Sequence, residues 1–279
     1  MKKLLSVLLC TLLLASALFI SASANTVDYL VLGDSIAYGS GLANPTEAVY
    51  GKIIADTHGF NYKNYSVPGH TTSNLLQRLE NEEVLSAVKE AEIISISIGG
   101  NNFLLSNLVG LMFDAIVRSD YSEMDKIADG FYTEFSLIMD VINENNPDAV
   151  VLMQTLYNPQ SGTLREVYGE GQKRLNEMVR KYDTEHPGEI IIVEAGDALG
   201  DDMECFAADE IHPSAKGNEL IALEILETLS ENGIAEYKEP VITAKGQDFG
   251  NGFSFPGLDL FVKIFEFFGK IYRFFTNLF

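Results

Sequence analysis

Short apolar runs recur along this chain, separated by longer stretches in which apolar residues return every three or four positions. Residues 27–32 (Val-Asp-Tyr-Leu-Val-Leu), 93–98 (Ile-Ile-Ser-Ile-Ser-Ile), 150–156 and 190–193 predict largely buried strands. Residues 61–67 predict a weaker one, because Tyr-Lys-Asn-Tyr-Ser-Val alternates in polarity. Helices are predicted near 46–57, 72–90, 103–117, 123–145, 165–185 and 214–230. The fourth begins at Ser122, with Asp125 three residues on, and closes before Pro147. Strands separated by helices predict an α/β fold with a parallel sheet covered on both faces.

Both ends break this pattern. Met1-Lys2-Lys3 precedes an apolar run over 4–20 and then Ser21-Ala22-Ser23-Ala24; the run is long enough for a retained membrane anchor, but the Ala22-x-Ala24 site favours a cleaved secretory signal over 1–24. Cys10 lies inside the apolar run with no small residue directly before it, which argues against a lipoprotein anchor. The globular domain is expected over 25–238. Pro240, Gly246, Gly250, Gly252, Pro256 and Gly257 mark 239–257 as a linker. Residues 258–279 predict a C-terminal amphipathic helix about 33 Å long. Asp259, Lys263, Glu266, Lys270, Arg273 and Asn277 share one narrow stripe of that helix, and the rest is rich in Phe. Charges near mid-bilayer cost roughly 2.5–3.5 kcal/mol each, so the stripe favours lying on a membrane over crossing it. The competing reading folds the helix onto the domain or onto a second copy.

Composition narrows the class of function. The chain carries 19 basic and 40 acidic residues, a formal charge of −21, and losing Lys2 and Lys3 with the signal makes it −23. Such a surface repels phosphate backbones, so nucleic acid is excluded as a partner. Only Cys205 survives cleavage, so the expected domain holds no internal disulfide and rests on its core.

Four segments at the predicted strand ends carry chemistry. The first strand runs into Gly33-Asp34-Ser35-Ile36, and a serine there can act as a nucleophile whose own N–H steadies an oxyanion. A serine that merely caps a helix reads the same way in isolation. Asp209-Glu210-Ile211-His212-Pro213 follows the last strand. A serine hydroxyl needs a base, histidine suits neutral pH, and a carboxylate fixes the imidazole tautomer. Gly99-Gly100-Asn101-Asn102 ends the third strand, where an amide can donate to an oxyanion or simply turn the chain. Val67-Pro68-Gly69-His70 ends the second, where Gly69 offers an uncovered backbone N–H.

Taken in this order, the four blocks resemble the SGNH/GDSL hydrolase family, across about residues 27–230. The resemblance implies a flavodoxin-like three-layer α/β/α sandwich with a five-stranded parallel sheet. It also implies Ser35 as nucleophile, His212 as general base, Asp209 as its orienting acid, and an oxyanion hole from Ser35, Gly69 and Asn101. Two positions depart from the family pattern: Ile36 stands where leucine is usual, and Asn102 where an acid often follows the asparagine. The second exchange removes a charge from the loop.

The expected function is secreted serine esterase or acylhydrolase activity on lipid or small acyl esters, without cofactor or metal. Alternatives are an acyltransferase or deacetylase on envelope or plant glycans, and a non-catalytic envelope-bound binding protein. Expected partners are a small-molecule, lipid or glycan ester, with membrane-surface or cell-envelope contact through 258–279. The Phe-, Met- and Leu-rich stretch between Asn102 and Pro147 either covers an acyl groove or packs on the sheet. Asp197, Asp201, Asp202 and Glu204 lack the alternation of a calcium loop and read as a solvated acidic turn. His70 reads as a surface turn residue or as a lining of the acyl pocket, and Cys205 as a buried thiol.

Overall fold

The computed structural model describes residues 28–160, 162–243 and 258–276. The expected signal 1–24 and most of the expected linker lie outside the described residues. Among those described, five strands form one parallel sheet: β1 (Tyr29–Gly33), β2 (Tyr62–Asn64), β3 (Ile93–Ser97), β4 (Val150–Gln154) and β5 (Ile191–Val193). Their order is β2-β1-β3-β4-β5, so the connections leave β1 in opposite directions. That reversal opens a crevice beyond the carboxyl ends of β1 and β3.

The helices that matter for the site follow in chain order. They are α1 (Ser35–Tyr38), α2 (Pro45–Ala48), α3 (Tyr50–His58), α4 (Thr72–Arg78), α5 (Glu82–Glu90), α6 (Gly100–Leu104), α7 (Leu108–Phe113), α8 (Ser122–Asn145), α9 (Gly162–Glu185), α10 (Ala195–Leu199), α11 (Ala215–Glu231) and α12 (Leu258–Thr276). The single helix expected over 72–90 is two, because the Asn81 side chain accepts from the N–H groups of Glu83 and Val84 and starts a new one. The helix expected over 103–117 is broken likewise. Asn107 caps α7, which then runs into a π-helical turn at Asp114–Arg118.

Strand residues alternate between two cores. Leu30, Leu32, Ile94 and Ile96 pack with Phe131, Phe135 and Ile138 of α8 and with Leu175 and Val179 of α9. Tyr29, Val31, Ile93 and Leu152 pack on the other side with Ile53 and Ile54 of α3 and with Ile221, Ile225 and Leu229 of α11. A parallel sheet buried on both faces explains why its strands read as nearly continuous apolar runs. The result is the expected three-layer α/β/α sandwich.

Past α11 the chain stays on the domain for longer than the expected boundary at 238. The Val241 N–H donates to Thr57 Oγ1 at 2.9 Å, and Thr243 Oγ1 to Asp56 at 2.7 Å. Helix α12 then lies against α7 and the π-helical turn. Val262 and Phe265 are buried, Phe265 meets Phe113 edge-on at 5.5 Å, and Arg273 donates to the Ile116 carbonyl at 3.3 Å. No helix among the described residues is long and apolar enough to cross a membrane.

Candidate active site

Gly33 sets the site by closing β1. Its φ is +142°, and a Cβ there would fall 2.0 Å from the Ser97 carbonyl oxygen of β3. Only glycine lets the two strand ends come together in this way. Asp34 follows, fully buried, and its carboxylate accepts the Ile36 N–H at 3.0 Å, capping α1. Burial pushes its carboxyl up to about 7, against the pull of that hydrogen bond and of nearby His212. Ser35 occupies the first helical position, so its N–H has no helical acceptor.

The structure brings Ser35, His212 and Asp209 into one hydrogen-bonded chain. The Ser35 hydroxyl donates to His212 Nε2 at 2.8 Å, and His212 Nδ1 donates to Asp209 Oδ2 at 2.6 Å. The other oxygen, Asp209 Oδ1, accepts the N–H groups of Ile211 and His212, both at 3.0 Å. Burial alone would raise the Asp209 carboxyl, but the His212 hydrogen bond and these two N–H donors lower it to about 2. The carboxylate is therefore fixed in place and ionised, and it selects the imidazole tautomer that leaves Nε2 free to accept.

The loop around this acid and base is clamped from several sides. The Ala207 N–H donates to the His212 carbonyl at 2.8 Å, and Phe206 and Pro213 form an antiparallel bridge. Glu210 adopts a left-handed φ of 54°, which folds the backbone so that both N–H groups reach Asp209. Tyr157 donates to the Ile211 carbonyl at 2.7 Å, and Gln160 to the Glu210 carbonyl at 3.1 Å. Gly41 completes the clamp, since a Cβ there would lie 2.9 Å from that of His212. None of Gly41, Tyr157 or Gln160 stands out in the sequence, because each acts by contact across the fold.

Asn101 lies in the first turn of α6 and donates to the His70 carbonyl at 2.9 Å, keeping one amide hydrogen undonated among the described residues. It lines a small recess with Asp34, Ser35 and Ile36. Gly69 sits at φ +83° in a Pro-Gly turn closed by the His70 N–H on the Val67 carbonyl. No described atom lies within 4 Å of the position a Gly69 Cβ would take, so the space above it is open. Asn102, where the family often has an acid, accepts the Thr72 N–H at 3.2 Å and donates to Thr72 Oγ1 at 2.7 Å. Thr72 in turn donates to the Glu134 carboxylate of α8. A charge is thus supplied from another helix.

Beside the recess opens a cavity of about 320 Å³ with mostly apolar walls. Phe103, Leu108, Leu111 and Met112 form one side, Val167, Gly171 and Leu175 of α9 the other, and Asp209–Ile211 lie at its edge. Gly100, Leu104, Leu156, Tyr168 and Ile211 line both spaces, which joins them. The stretch after Asn102 therefore does both things the sequence allowed. Its first part walls the cavity, while Phe131, Phe135 and Met139 are core. The backbone of His70 holds Asn101, but His70 is not among the residues lining the cavity. Cys205 is buried, which pushes its thiol up. Lys216 bridges Asp202 and Glu204, and Arg165 pairs with Asp201, so the acidic loop finds its counter-ions within the protein.

A five-stranded parallel sheet with a hydrogen-bonded Ser-His-Asp chain at its switch point, and with Asn101 lining the same recess as Ser35, is the arrangement of a flavodoxin-like hydrolase. Residues 31–220 match the GDSL-like Lipase/Acylhydrolase family, and the chain belongs to it. It is thereby a carboxylic ester hydrolase. Among proteins of known sequence it is similar to the uncharacterized protein YpmR of Bacillus subtilis (strain 168), 24% identical over 228 residues, which cover 75% of this chain and 85% of that one. Among solved structures it is similar in fold to the lipase Lip_vut3 from a goat rumen metagenome, with a TM-score of 0.62, 21% identity, and 76% of this chain and 100% of that chain covered. An extracellular lipase of Streptomyces rimosus gives a TM-score of 0.56 at 18% identity, covering 72% and 99%. The acetylxylan esterase Axe2 of Geobacillus stearothermophilus gives 0.53 at 16%, covering 72% and 93%.

Proposed function

We propose that this chain is a secreted serine esterase that cleaves carboxylic esters of apolar acyl chains through an acyl-enzyme on Ser35. The observation that carries the reading is the hydrogen-bonded chain from Ser35 through His212 to Asp209, at 2.8 and 2.6 Å. Ser35 Oγ attacks the ester carbonyl while His212 Nε2 takes its proton, and the carbonyl oxygen becomes an oxyanion. The N–H groups of Ser35 and Gly69 and the free Asn101 hydrogen receive that charge. Collapse expels the alcohol, which leaves with the proton held by His212, and the acyl group stays on Ser35. Water then enters, loses its proton to His212 and attacks the acyl carbonyl, and the carboxylic acid departs with Ser35 restored.

The acyl chain of the substrate fills the apolar cavity, so that esters longer than acetate are preferred. Export rests on the basic start, the apolar run and the Ala22-x-Ala24 site. It predicts a released protein whose first residue is Asn25, read by N-terminal sequencing. The catalytic reading is tested by Ser35→Ala with p-nitrophenyl butyrate. Turnover should fall by about a thousandfold or more, with the thermal midpoint unchanged. Hydrolysis at the wild-type rate would overturn it.

A further inference from the structure

Helix α12 presents three distinct faces. Val262, Phe265 and Gly269 turn inward, the exposed Arg273 reaches the Ile116 carbonyl with its guanidinium, and Gly269 allows the close approach, since a Cβ there would lie 2.8 Å from that carbonyl oxygen. Lys263 and Lys270 form an exposed flank. The remaining face carries Ile264, Phe267, Phe268, Ile271 and Tyr272, all exposed, with Phe267 at 61% and Phe268 at 49%. These five fall within an arc of about 140° at about 100° per residue, and the two lysines border that arc. Five large apolar side chains side by side, left uncovered by the domain, are more than the scattered exposure expected of a soluble surface.

We propose that this outer face of α12 docks on an anionic lipid surface and holds the acyl cavity beside it. Charge selects the occupant. Residues 258–279 contain three basic and two acidic residues, while the rest of the chain carries a net −22. Charges farther off than a Debye length, about 8 Å at physiological salt, are largely screened, so a headgroup layer against α12 feels mainly the charges of that segment, where basic residues outnumber acidic ones. Aromatic and branched side chains flanked on one side by lysines match the boundary of headgroups and acyl chains. The inner face of the helix abuts α7, whose Leu108, Leu111 and Met112 wall the cavity. A bilayer on the outer face therefore lies one helix diameter, about 10 Å, from the wall of the acyl site. The docking itself stands without the esterase reading; only its use in bringing lipid esters to Ser35 rests on that reading.

The test is cosedimentation of the full chain with phosphatidylcholine vesicles holding either no phosphatidylglycerol or about 30 mol % of it. The wild type should sediment with the anionic vesicles and be released by high salt. Combining Phe267→Ser, Phe268→Ser and Ile271→Ser should lower the partition coefficient by at least about tenfold, with the thermal midpoint and hydrolysis of a soluble ester unchanged. Lys263→Gln with Lys270→Gln should cost about fivefold per lysine on anionic vesicles and little on neutral ones. Ser35→Ala should sediment as the wild type does, which separates docking from catalysis. Equal sedimentation of the wild type and the triple variant would overturn the proposal, as would no sedimentation of the wild type. So would a wild-type dimer that the triple variant dissolves without any vesicle binding, for then the face joins two copies of the chain.

Discussion

Gly171 lines the apolar cavity proposed to take the acyl chain. It lies inside α9, and a Cβ there would meet the Phe103 ring at 3.4–3.5 Å, which is ordinary contact. Gly171→Leu therefore fits the backbone, and replacing a helix-interior glycine gains up to about 1 kcal/mol of helix propensity. The three carbons beyond Cβ have the cavity to enter, and they take the place of about three substrate methylenes. At about 0.8 kcal/mol per buried methylene, that removes about 2.4 kcal/mol from a long acyl chain, close to sixtyfold in kcat/KM. The assay is hydrolysis of p-nitrophenyl esters from acetate to octanoate. In the wild type each added methylene should raise kcat/KM about fourfold until the cavity is full. In Gly171→Leu the octanoate-to-acetate ratio should drop about sixtyfold, with acetate hydrolysis nearly unchanged and the thermal midpoint equal or higher. An unchanged ratio would refute the placement of the acyl chain between α7 and α9.

Three further outcomes follow from the site itself. Gly33→Ala puts a Cβ against the Ser97 carbonyl at a φ that L-residues avoid, and it should cost about 3 kcal/mol or more in urea unfolding. Asp209 is lowered to about 2, so its stabilising contribution is present above the ordinary carboxylate value of 3.8 and is lost as pH falls towards 2. It is worth on the order of 2 kcal/mol, and Asp209→Asn should flatten the stability profile between pH 4 and 2. Asp34 has the opposite sign. Its carboxyl is raised from 3.8 to about 7, so the folded state holds the proton longer, and stability declines as pH climbs through that window. Asp34→Asn, which still caps α1, should remove that decline in thermal melts from pH 4 to 8.

The strands were legible because the sheet is buried on both faces, which writes apolar runs into the sequence. β2 gave the weakest signal for the same reason: it is the edge, and Tyr62–Asn64 are only half-buried. Helix ends were less legible where one side chain decides them. Apolar periodicity carries on through Asn81, but a carboxamide oxygen that accepts two N–H groups there ends one helix and begins another. The π-helical turn at Asp114–Arg118 has α12 packed against it, more than 140 residues away, and no local pattern carries that contact. The two readings of the C-terminal segment, folded on the domain or facing lipid, had looked exclusive. The structure assigns the first to one face and leaves another face exposed.

At the site, the side chains that the structure joins in one hydrogen-bonded chain, Ser35, His212 and Asp209, were legible, and the residues that hold them were not. A serine, a histidine, an aspartate and an asparagine at strand ends declare themselves by atom type. Gly41, Tyr157 and Gln160 hold the His212 loop through a close approach and two backbone carbonyls, and such roles are open to almost any residue of suitable size. Asn102 shows why a local departure from a family pattern need not be a loss. Read along the chain, the exchange removes a charge from the loop after β3. In space, Asn102 grips Thr72 from both ends of its amide, and Thr72 donates onward to Glu134 of α8. The amide can play this part because it both donates and accepts, whereas an ionised acid at the same position could only accept. A carboxylate anchor is thus kept one hydrogen bond further out, on a helix that the core already fixes through Phe131 and Phe135.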